Sequence, residues 1–481
     1  MTANPASNSA GDPSAEARLD ATFERLHRLS RTRPAPDYTE RTQALDRLRA
    51  GLLARRDELV AAVSADYGHR SRQETLVSEV FVTLEAIKYT KRNLWRWMQP
   101  ERRKTSLAFL PARSEVRFQP KGLVGIISPW NYPLQLALVP VVAAIGAGNR
   151  VMLKPSELTP QASTALGALL EAALGPELAG IATGGPEVGA RFAALPFDHL
   201  FYTGSTHVGR LVMRAAAENL TPVTLELGGK SPTIVHRDFP LEQAAARIVT
   251  GKLFNAGQSC IAPDYVLAPR EQLTSLAQAI AAAVATTYPR LVDNPDYSAI
   301  INDRHRERLE GYLEDARGKG ARIEEVNPAG ESFGADTDKL APRILTEVDD
   351  GMRVMQEEIF GPLLPLVPYD RLDDAIDYVN ARPRPLALYY FGRDRQRADH
   401  VLAATVSGGA CINDTILQVA QDDLPFGGIG PSGMGAYHGR EGFETFSHKR
   451  GVFLQSRISG ARLLGPPYGP IGRILTKLLL R

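Results

Sequence analysis

The chain contains 481 residues, 44% of them hydrophobic and 23% charged, and its formal net charge is only +2. This composition is typical of a globular protein of two or three domains, and the small net charge excludes a strong field for nucleic acids, anionic membranes or polyanionic substrates. Since the cysteines are Cys260 and Cys411, at most one disulfide can form and no thiolate metal site can be built. We therefore expect a reducing, cytoplasmic environment and no bound metal.

The N-terminal part of the chain predicts a tail followed by helices. Residues 1–16 are rich in Ala, Ser, Asn and Pro and lack the pattern of a signal peptide, so we expect a disordered tail. Leucines at helical spacing predict an amphipathic surface helix in residues 41–63. In residues 91–104 basic side chains alternate with Trp95 and Trp97. A nucleic-acid surface is one interpretation, but we favour a solvated helix end with buried tryptophans and expect no nucleic-acid partner.

From residue 122 onward, short apolar runs alternate with helix-prone segments. The predicted strands cover residues 122–128, 151–154, 181–183, 199–203, 223–227, 363–367 and 387–391, and a helix is predicted at 241–254. Such alternation is typical of βαβ units and mostly parallel sheets. We predict an α/β fold of two doubly wound domains, with a Rossmann-like cofactor domain in residues 17–105 and 120–226 and a catalytic domain in residues 227–420.

Two strand-like segments, residues 106–119 and 446–454, are left over by these domains. They can pair into a small β arm for oligomerisation, which we assign to residues 106–119 and 440–456. The C-terminal tail, residues 457–481, contains an amphipathic helix at 471–480 after a proline break. This helix can touch a membrane surface peripherally, pack on its own subunit or cover a neighbour's substrate entrance. No apolar run reaches about 18 residues, so we expect no integral membrane segment.

The setting of Cys260 favours chemistry over packing. A single cysteine is usually an inert core residue, but this one follows Gly257-Gln-Ser and precedes a turn, a setting that favours a partly exposed thiolate nucleophile. Cys411 lies at a predicted strand start and receives a structural role.

Two polar residues at strand ends can complete an acyl-transfer site. Glu226 ends an apolar strand before a Gly-Gly turn, where desolvation raises a carboxyl pKa toward neutrality and allows it to activate water. A turn cap or a pair with Lys230 is the alternative. Asn131 follows a buried strand and can donate its amide to an oxyanion, unless it bonds its own turn.

A dinucleotide site is indicated at residues 201–209, where a strand runs into a glycine turn and then a helix. The helix N-terminus offers free N–H groups to a pyrophosphate, although the glycine spacing departs from G-x-G-x-x-G. Lys154 and Glu157 follow the preceding strand and can hold the adenine ribose. A surface salt pair is the alternative for these two residues.

These motifs together resemble the aldehyde dehydrogenase superfamily from about residue 19 to residue 453. The strings that carry the resemblance are Pro129-Trp-Asn-Tyr-Pro, Leu225-Glu-Leu-Gly-Gly-Lys-Ser-Pro, Gly257-Gln-Ser-Cys, Glu357-Glu-Ile-Phe-Gly-Pro and Leu424-Pro-Phe-Gly-Gly. The resemblance implies Cys260 as nucleophile, Glu226 as general base, and the Asn131 amide with the Cys260 N–H as oxyanion hole. It also implies the cofactor-binding residues Trp130, Lys154, Glu157, Gly204, Ser205, Gly209, Leu227, Glu358 and Phe360.

The strings Cys260-Ile-Ala-Pro-Asp-Tyr and Ser432-Gly-Met-Gly-Ala-Tyr-His-Gly resemble the class 3 branch, which is dimeric and accepts NAD or NADP. Within that branch, a resemblance to the bacterial coniferyl aldehyde dehydrogenases is carried by Tyr67-Gly-His-Arg-Ser-Arg, Ala215-Ala-Ala-Glu-Asn-Leu-Thr-Pro and Val419-Ala-Gln-Asp-Asp-Leu-Pro-Phe. This implies a homodimer that oxidises an aromatic enal to its acid, with a substrate tunnel lined by Tyr132, Gln418 and Phe426. Like charge between Glu157 and a 2′-phosphate favours NAD over NADP. The alternatives are a medium- or long-chain aliphatic substrate, an acylating enzyme that transfers its thioester to coenzyme A, and a non-catalytic protein. Glu226 argues against the acylating enzyme, and the complete catalytic set argues against the non-catalytic protein.

Overall fold

A computed structural model describes residues 13–334, 337–459 and 465–480. Most of the predicted tail, residues 1–12, lies outside the described residues. Its last four residues were wrongly predicted as tail, because the first helix, Pro13–Thr32 (α1), begins there. Leu19, Phe23 and Leu26 lie on one face of α1 and are buried, which explains why the helix forms against the body of the protein.

The other α-helices of the described residues cover most of the chain between the strands. In chain order they are Tyr38–Ala54 (α2), Arg56–Asp66 (α3), Arg72–Thr75 (α4), Val82–Trp97 (α5), Gln135–Gly146 (α6), Pro160–Leu174 (α7), Pro186–Ala193 (α8), Thr206–Ala217 (α9), Leu241–Leu253 (α10), Leu273–Thr287 (α11), Asp303–Gly318 (α12), Arg353–Gln356 (α13), Leu372–Asn380 (α14), Arg395–Ala404 (α15), Gly439–Thr445 (α16) and Pro470–Leu479 (α17). A π-helical turn, Leu76–Phe81, joins α4 to α5.

The helix predicted over residues 41–63 is in fact two helices. The chain leaves helical geometry at Arg55, with φ −101° and ψ 9°, and α3 starts at the next residue. Both α2 and α3 pack against α7, on either side of this break. Of the two tryptophans in residues 91–104, Trp97 is buried, at 3% exposure, whereas Trp95 is 61% exposed. The prediction of two buried tryptophans was therefore wrong for Trp95, which points away from the core side of α5.

The first large sheet is parallel apart from one edge strand. Its order is β15-β7-β6-β3-β4-β5, with strands Leu123–Ile127 (β3), Arg150–Lys154 (β4), Ala179–Ile181 (β5), His199–Thr203 (β6), Val223–Glu226 (β7) and Gly433–Met434 (β15). Fully buried β-strands flanked by helices produce the continuous apolar runs seen in the sequence. The antiparallel β15 brings the C-terminal part of the chain back to the end of β7, where Gly433 pairs with Glu226.

The second large sheet has seven strands and forms the core of the predicted catalytic domain. Its order is β10-β11-β12-β9-β8-β13-β14, with strands Pro232–Val235 (β8), Tyr265–Pro269 (β9), Arg322–Glu325 (β10), Arg343–Thr346 (β11), Leu363–Tyr369 (β12), Ala387–Phe391 (β13) and Gly409–Ile412 (β14). All pairs are parallel except β10 with β11. The expectation of two α/β units with mostly parallel sheets is confirmed.

The leftover segments form a third, antiparallel sheet of order β1-β2-β16. Its strands are Glu101–Arg103 (β1), Arg113–Pro120 (β2) and Ser447–Leu454 (β16). The predicted arm therefore differs in three places. Its first strand, β1, lies in residues that were assigned to the cofactor domain. Residues 106–112 form a 3₁₀ turn and loop instead of a strand, and residues 439–445 are α16, whose Phe443 is buried against Trp97.

The C-terminal tail contains the expected helix, α17, although residues 460–464 lie outside the described residues. Several of its apolar side chains are exposed, among them Ile471 and Leu478. Among the described residues, no helix is both long and apolar enough to cross a bilayer.

Candidate active site

A cavity of about 350 Å³ opens where the carboxyl ends of β6 and β7 meet the second α/β unit. It is lined by Pro129, Trp130, Asn131, Leu136, Thr203, Gly204, Ser205, Glu226, Leu227, Gly228, Cys260, His305, Arg308, Tyr312, Glu357, Glu358 and Phe360. This edge is where parallel sheets commonly bind ligands. All three predicted catalytic residues and six of the nine predicted cofactor-binding residues line this cavity.

Cys260 is placed by a tight turn after α10. Asn255, Ala256 and Gly257 all have φ between 50° and 77°, and a Cβ on Gly257 would collide with the carbonyl of Gly361. This close approach explains why glycine precedes the cysteine in the Gly-Gln-Ser-Cys string. The turn leaves Cys260 half-buried and free of any disulfide.

The surroundings of Cys260, the predicted nucleophile, favour the protonated thiol. Burial raises the pKa of this thiol, and Glu358 and Glu226 raise it further when they are ionised. The sulfur also lies within hydrogen-bonding reach of its own N–H and that of Ile261. The sequence reasoning underestimated desolvation and could not place two carboxyl groups beside the sulfur.

Asn131 is held from several sides. Its carbonyl oxygen accepts hydrogen bonds from Arg70 Nη1 at 2.8 Å, Tyr67 Oη at 3.1 Å and Asn255 Nδ2 at 2.9 Å. Its side-chain Nδ2 donates to the carbonyl of Gln258 at 3.2 Å. The asparagine therefore does not bond its own turn, and the second N–H of its amide is not used in that bond.

Glu226 is a buried carboxyl group with no hydrogen-bond donor. It is 3% exposed, and neither carboxyl oxygen has a partner among the described residues. Burial raises its pKa well above the ordinary value. The alternative pair with Lys230 does not form, because Lys230 forms an ion pair with Asp264.

Glu358 is a second carboxyl group in the cavity. Its carboxylate lies against Gly228, where any side chain would collide with it, and it accepts a hydrogen bond from the Gly229 N–H. Desolvation and the charge of Asp264 raise its pKa to about 8. The arrangement therefore places two carboxyl groups of raised pKa near one thiol.

The glycine turn after β6 leads into α9 at the cavity wall. Ser205 caps the helix by accepting a hydrogen bond from the Val208 N–H at 3.3 Å. A Cβ on Gly209 would come within 2.6 Å of Leu227 Cδ2, so glycine allows the helix to approach the end of β7. Among the predicted cofactor residues, Gly209 lies behind this wall and does not line the cavity.

Lys154 and Glu157 lie at the carboxyl end of β4, outside the cavity lining. Lys154 Nζ and Glu157 Oε2 form a 2.8 Å ion pair in which the lysine is buried and the glutamate is 40% exposed. The salt pair that was predicted as the alternative is therefore observed. Because only the lysine is buried, the Glu157 carboxylate still faces the solvent.

The three predicted tunnel residues also lie outside this cavity lining. Tyr132 is buried near Ser259, and Phe426 stacks on His438 with ring centroids 5.1 Å apart. Gln418 Nε2 donates to Tyr389 Oη at 3.3 Å, and this hydroxyl donates to the carbonyl of Ile261, next to Cys260. Gln418 is therefore linked to the cysteine turn through one intervening side chain.

The sequence reasoning missed His305, Arg308 and Tyr312. They occupy one face of α12, at spacings of three and four, a pattern that could have indicated a common wall. Arg308 donates to the carbonyls of Glu358 at 3.3 Å and Phe360 at 3.4 Å. The His305 ring packs on Trp130 at 4.8 Å, and burial lowers its pKa to about 4.

Comparison with known proteins agrees with this geometry. The profile of the "Aldehyde dehydrogenase family" matches residues 14–452. A Pseudomonas aeruginosa protein named "Probable coniferyl aldehyde dehydrogenase" is 50% identical over 96% of this chain and 97% of its own length. A "Coniferyl aldehyde dehydrogenase" of a Pseudomonas species is 47% identical over 98% of both chains. The substrate-bound structure of Staphylococcus aureus AldH is 36% identical, with a TM-score of 0.90 over 96% of this chain and 99% of that one. The chain therefore belongs to the aldehyde dehydrogenase family and oxidises an aldehyde to the carboxylic acid.

Proposed function

We propose that the chain oxidises coniferyl aldehyde to its acid with NAD, through a thioester on Cys260, as a cytoplasmic homodimer. The observation that carries the mechanism is the convergence of Cys260, Glu226 and Asn131 on one cavity. The aromatic substrate is supported by the names of relatives about half identical over nearly the whole chain.

The residues present fit a dinucleotide. The N-terminus of α9 faces the cavity through Gly204 and Ser205, where free N–H groups suit a pyrophosphate. Glu358 and Phe360 line the cavity beside Cys260 and would hold the nicotinamide ribose, while Lys154 and Glu157 would hold the adenosine ribose. When bound, the nicotinamide supplies the hydride acceptor for the oxidation.

The first role of the protein is to stabilise charge on the substrate oxygen. Once the Cys260 thiol has lost its proton to solvent, the thiolate would attack the aldehyde carbon, forming the C–S bond and placing a negative charge on the carbonyl oxygen. The unused N–H of the Asn131 amide and the Cys260 backbone N–H would donate to it. Removing one such donor costs about 3–4 kcal/mol of transition-state stabilisation.

The second role is to hydrolyse the thioester that remains after hydride loss. Glu226 would take a proton from water, and the resulting hydroxide would attack the acyl carbon and release the Cys260 thiolate with the acid. A carboxyl group with unpaired oxygens and a raised pKa is suited to this task. Water as acceptor also distinguishes this proposal from transfer to coenzyme A.

The decisive experiment is steady-state reduction of NAD by coniferyl aldehyde, benzaldehyde, hexanal and decanal, with and without coenzyme A. We expect kcat/KM for coniferyl aldehyde to exceed the aliphatic values at least tenfold. Higher kcat/KM values for hexanal or decanal would show that the substrate is a medium- or long-chain aliphatic aldehyde instead. A strict need for coenzyme A would overturn the hydrolytic mechanism.

Cofactor preference is tested in the same assay with NADP. The exposed carboxylate of Glu157 would repel a 2′-phosphate. We expect NAD to be preferred and Glu157→Gln to raise kcat/KM for NADP about tenfold relative to NAD, which corresponds to about 1.4 kcal/mol. An unchanged ratio would show that Glu157 does not decide between the cofactors.

A further inference from the structure

A second cavity, of about 390 Å³, lies at the opposite end of β4 from the proposed cofactor site. Arg150 begins this strand and Lys154 ends it, so the two sites are separated by about 13 Å along the strand at roughly 3.3 Å per residue. The cavity is bounded by residues 33–36, α2 and the end of α6. It shares no lining residue with the cavity around Cys260.

Four arginines and two acids supply the charge of this cavity: Arg33, Arg41, Arg47, Arg150, Glu40 and Glu177. One acid is already paired, because Glu177 contacts Arg33 at 2.5 Å. The other caps α2, where the Glu40 carboxylate accepts from the Asp37 N–H at 2.8 Å. The four basic groups therefore outnumber the two acidic ones, of which Glu177 neutralises Arg33 and Glu40 caps α2.

Among these arginines, Arg150 is the one with a buried nitrogen that lacks a hydrogen-bond partner. It is 6% exposed, its Nε has no hydrogen-bond partner, and it forms no ion pair within residues 13–334, 337–459 and 465–480. A buried guanidinium nitrogen without an acceptor has lost its hydration without compensation, and arginine is seldom buried without a partner. Burial and the charge of Arg33 lower its pKa, and the charge of Glu177 offsets part of this effect.

Arg41 and Arg47 are held in place by neutral acceptors. Arg41 donates from Nε to the Pro36 carbonyl at 2.8 Å and from Nη1 to the Gly146 carbonyl at 3.1 Å. Arg47 Nε donates to the Ala173 carbonyl at 2.8 Å. Carbonyl oxygens orient these guanidinium groups without neutralising their charge.

We propose that this cavity binds a small molecule through a phosphate or carboxylate group placed against Arg150. Guanidinium groups bind both anions in bidentate geometry. The volume falls within the range of small-molecule sites, and Ala44, Ile145 and Leu178 provide an apolar wall for the rest of the ligand. The inference does not depend on the proposed substrate or mechanism.

The test is titration calorimetry of the full chain with inorganic phosphate and, separately, with citrate, at low chloride and with saturating NAD to occupy the cofactor site. We expect saturable binding of one of these anions, and the anion that binds identifies the head group. Arg150→Gln should weaken that binding at least tenfold. Arg214→Gln, an equal charge change on the exposed side of α9, should leave it unchanged.

A second variant should change the affinity for the anion in the opposite direction. Glu177→Gln removes the carboxylate that neutralises Arg33, so binding should tighten severalfold. If Arg150→Gln fails to fold by circular dichroism, Arg47→Gln replaces it, with weakened binding expected. Absence of saturable binding to the wild-type chain, equal binding by the Arg150 or Arg47 variant, or weakening in Glu177→Gln would overturn the proposal.

Discussion

Glu226 carries a raised pKa because both of its oxygens are buried without a donor. A base works only when deprotonated, so thioester hydrolysis should accelerate as pH rises through this raised pKa. Glu226→Gln should keep the pre-steady-state burst of reduced cofactor but lower kcat by about 10²–10⁴-fold and remove that pH dependence. Stopped-flow bursts and kcat profiles from pH 5.5 to 9 check this, and loss of the burst would contradict a role confined to hydrolysis.

The raised pKa of Glu358 predicts how the stability of the folded protein varies with pH. Its folded pKa, about 8, exceeds the ordinary value of 4.5. The folded state therefore binds this proton more tightly than the unfolded state, so the contribution to stability is complete below about pH 4.5 and is lost as pH rises through about 8. Glu358→Gln should reduce the fall in Tm between pH 5 and pH 9, measured by scanning calorimetry.

The neighbouring Glu357 provides the matched control for Glu358. Its side chain is 52% exposed and forms an ion pair with Arg353. Glu357→Gln should change Tm by a similar small amount at both pH values, as surface ion pairs contribute about 0–1 kcal/mol. An equal pH response of the Glu358 and Glu357 variants would show that Glu358 titrates normally.

At the residue scale, the sequence predicted what motifs and strand ends encode locally. Cys260, Glu226 and Asn131 each follow a strand or helix that ends at the same edge, so their convergence could be expected. The state of the Cys260 thiol could not, because its pKa depends on Glu358, nearly one hundred positions away along the chain. The spacing of His305, Arg308 and Tyr312 indicates a common helix face, but among the many charges of α12 the sequence does not show that this face turns toward the cavity.

The π-helical turn Leu76–Phe81 is the element that orients the loop of Asn131. It carries Glu79, which accepts hydrogen bonds from the N–H groups of Leu134 and Gln135 at 2.6 and 3.2 Å. Glu79 also pairs with Arg70 at 3.2 Å, with both side chains fully buried. Arg70 in turn donates to the Asn131 carbonyl. The loop is therefore fixed by a buried ion pair behind it.

Arg70→Met should uncouple this loop from the ion pair. We expect kcat to fall about 10–100-fold with little change in KM, because a shift near 1 Å affects transition-state contacts most. Loss of one partner of a buried pair should also destabilise the fold by about 3–5 kcal/mol. Steady-state kinetics and urea unfolding measure both, with Arg72→Met, which removes an exposed pair with Asp57, as the control. A rise in KM with unchanged kcat would contradict the positioning role.

At the element scale, strands were more predictable than helices and arms. Buried strands such as His199–Thr203 and Ala387–Phe391 match their predicted ranges because their apolar runs are continuous. The break at Arg55 was not predictable, since leucine spacing continues through it and packing on α7 decides the bend. Residues 439–445 likewise have no strong helical pattern, and burial of Phe443 selects the helix.

At the scale of the whole molecule, the return of the chain to the first sheet could not be foreseen. Gly433–Met434 contributes only two residues to β15, too short a strand to leave a pattern in the sequence. Its pairing with β7 nevertheless places the C-terminal segment beside Glu226. The alternation of strands and helices in the sequence therefore predicted the two α/β units. Strand pairings between distant segments determine how these units enclose the site.

The tip of the antiparallel arm supports assembly into a dimer. Leu107 is 86% exposed, Phe109 48% and Phe453 51%, and the two phenylalanine rings touch each other at 6.1 Å. A cluster of large apolar side chains on a projecting sheet favours burial against another subunit. β16 is also an edge strand whose outer side has no partner among the described residues, and such edges pair readily with a second chain.

Phe453→Asp should therefore weaken the dimer, because a buried unpaired carboxylate at the interface is strongly unfavourable. Sedimentation velocity over a concentration series should show a dimer for the wild-type chain and an at least tenfold higher dissociation constant for the variant. Leu220→Asp, at a position 90% exposed and away from the arm, controls for added charge. Phe453 does not line the cavity around Cys260, so Phe453→Asp should still bind NAD. A monomeric wild-type chain, or an unchanged dissociation constant in Phe453→Asp, would show that the arm does not mediate dimerisation. The exposed apolar side chains at its tip would then contact a different partner.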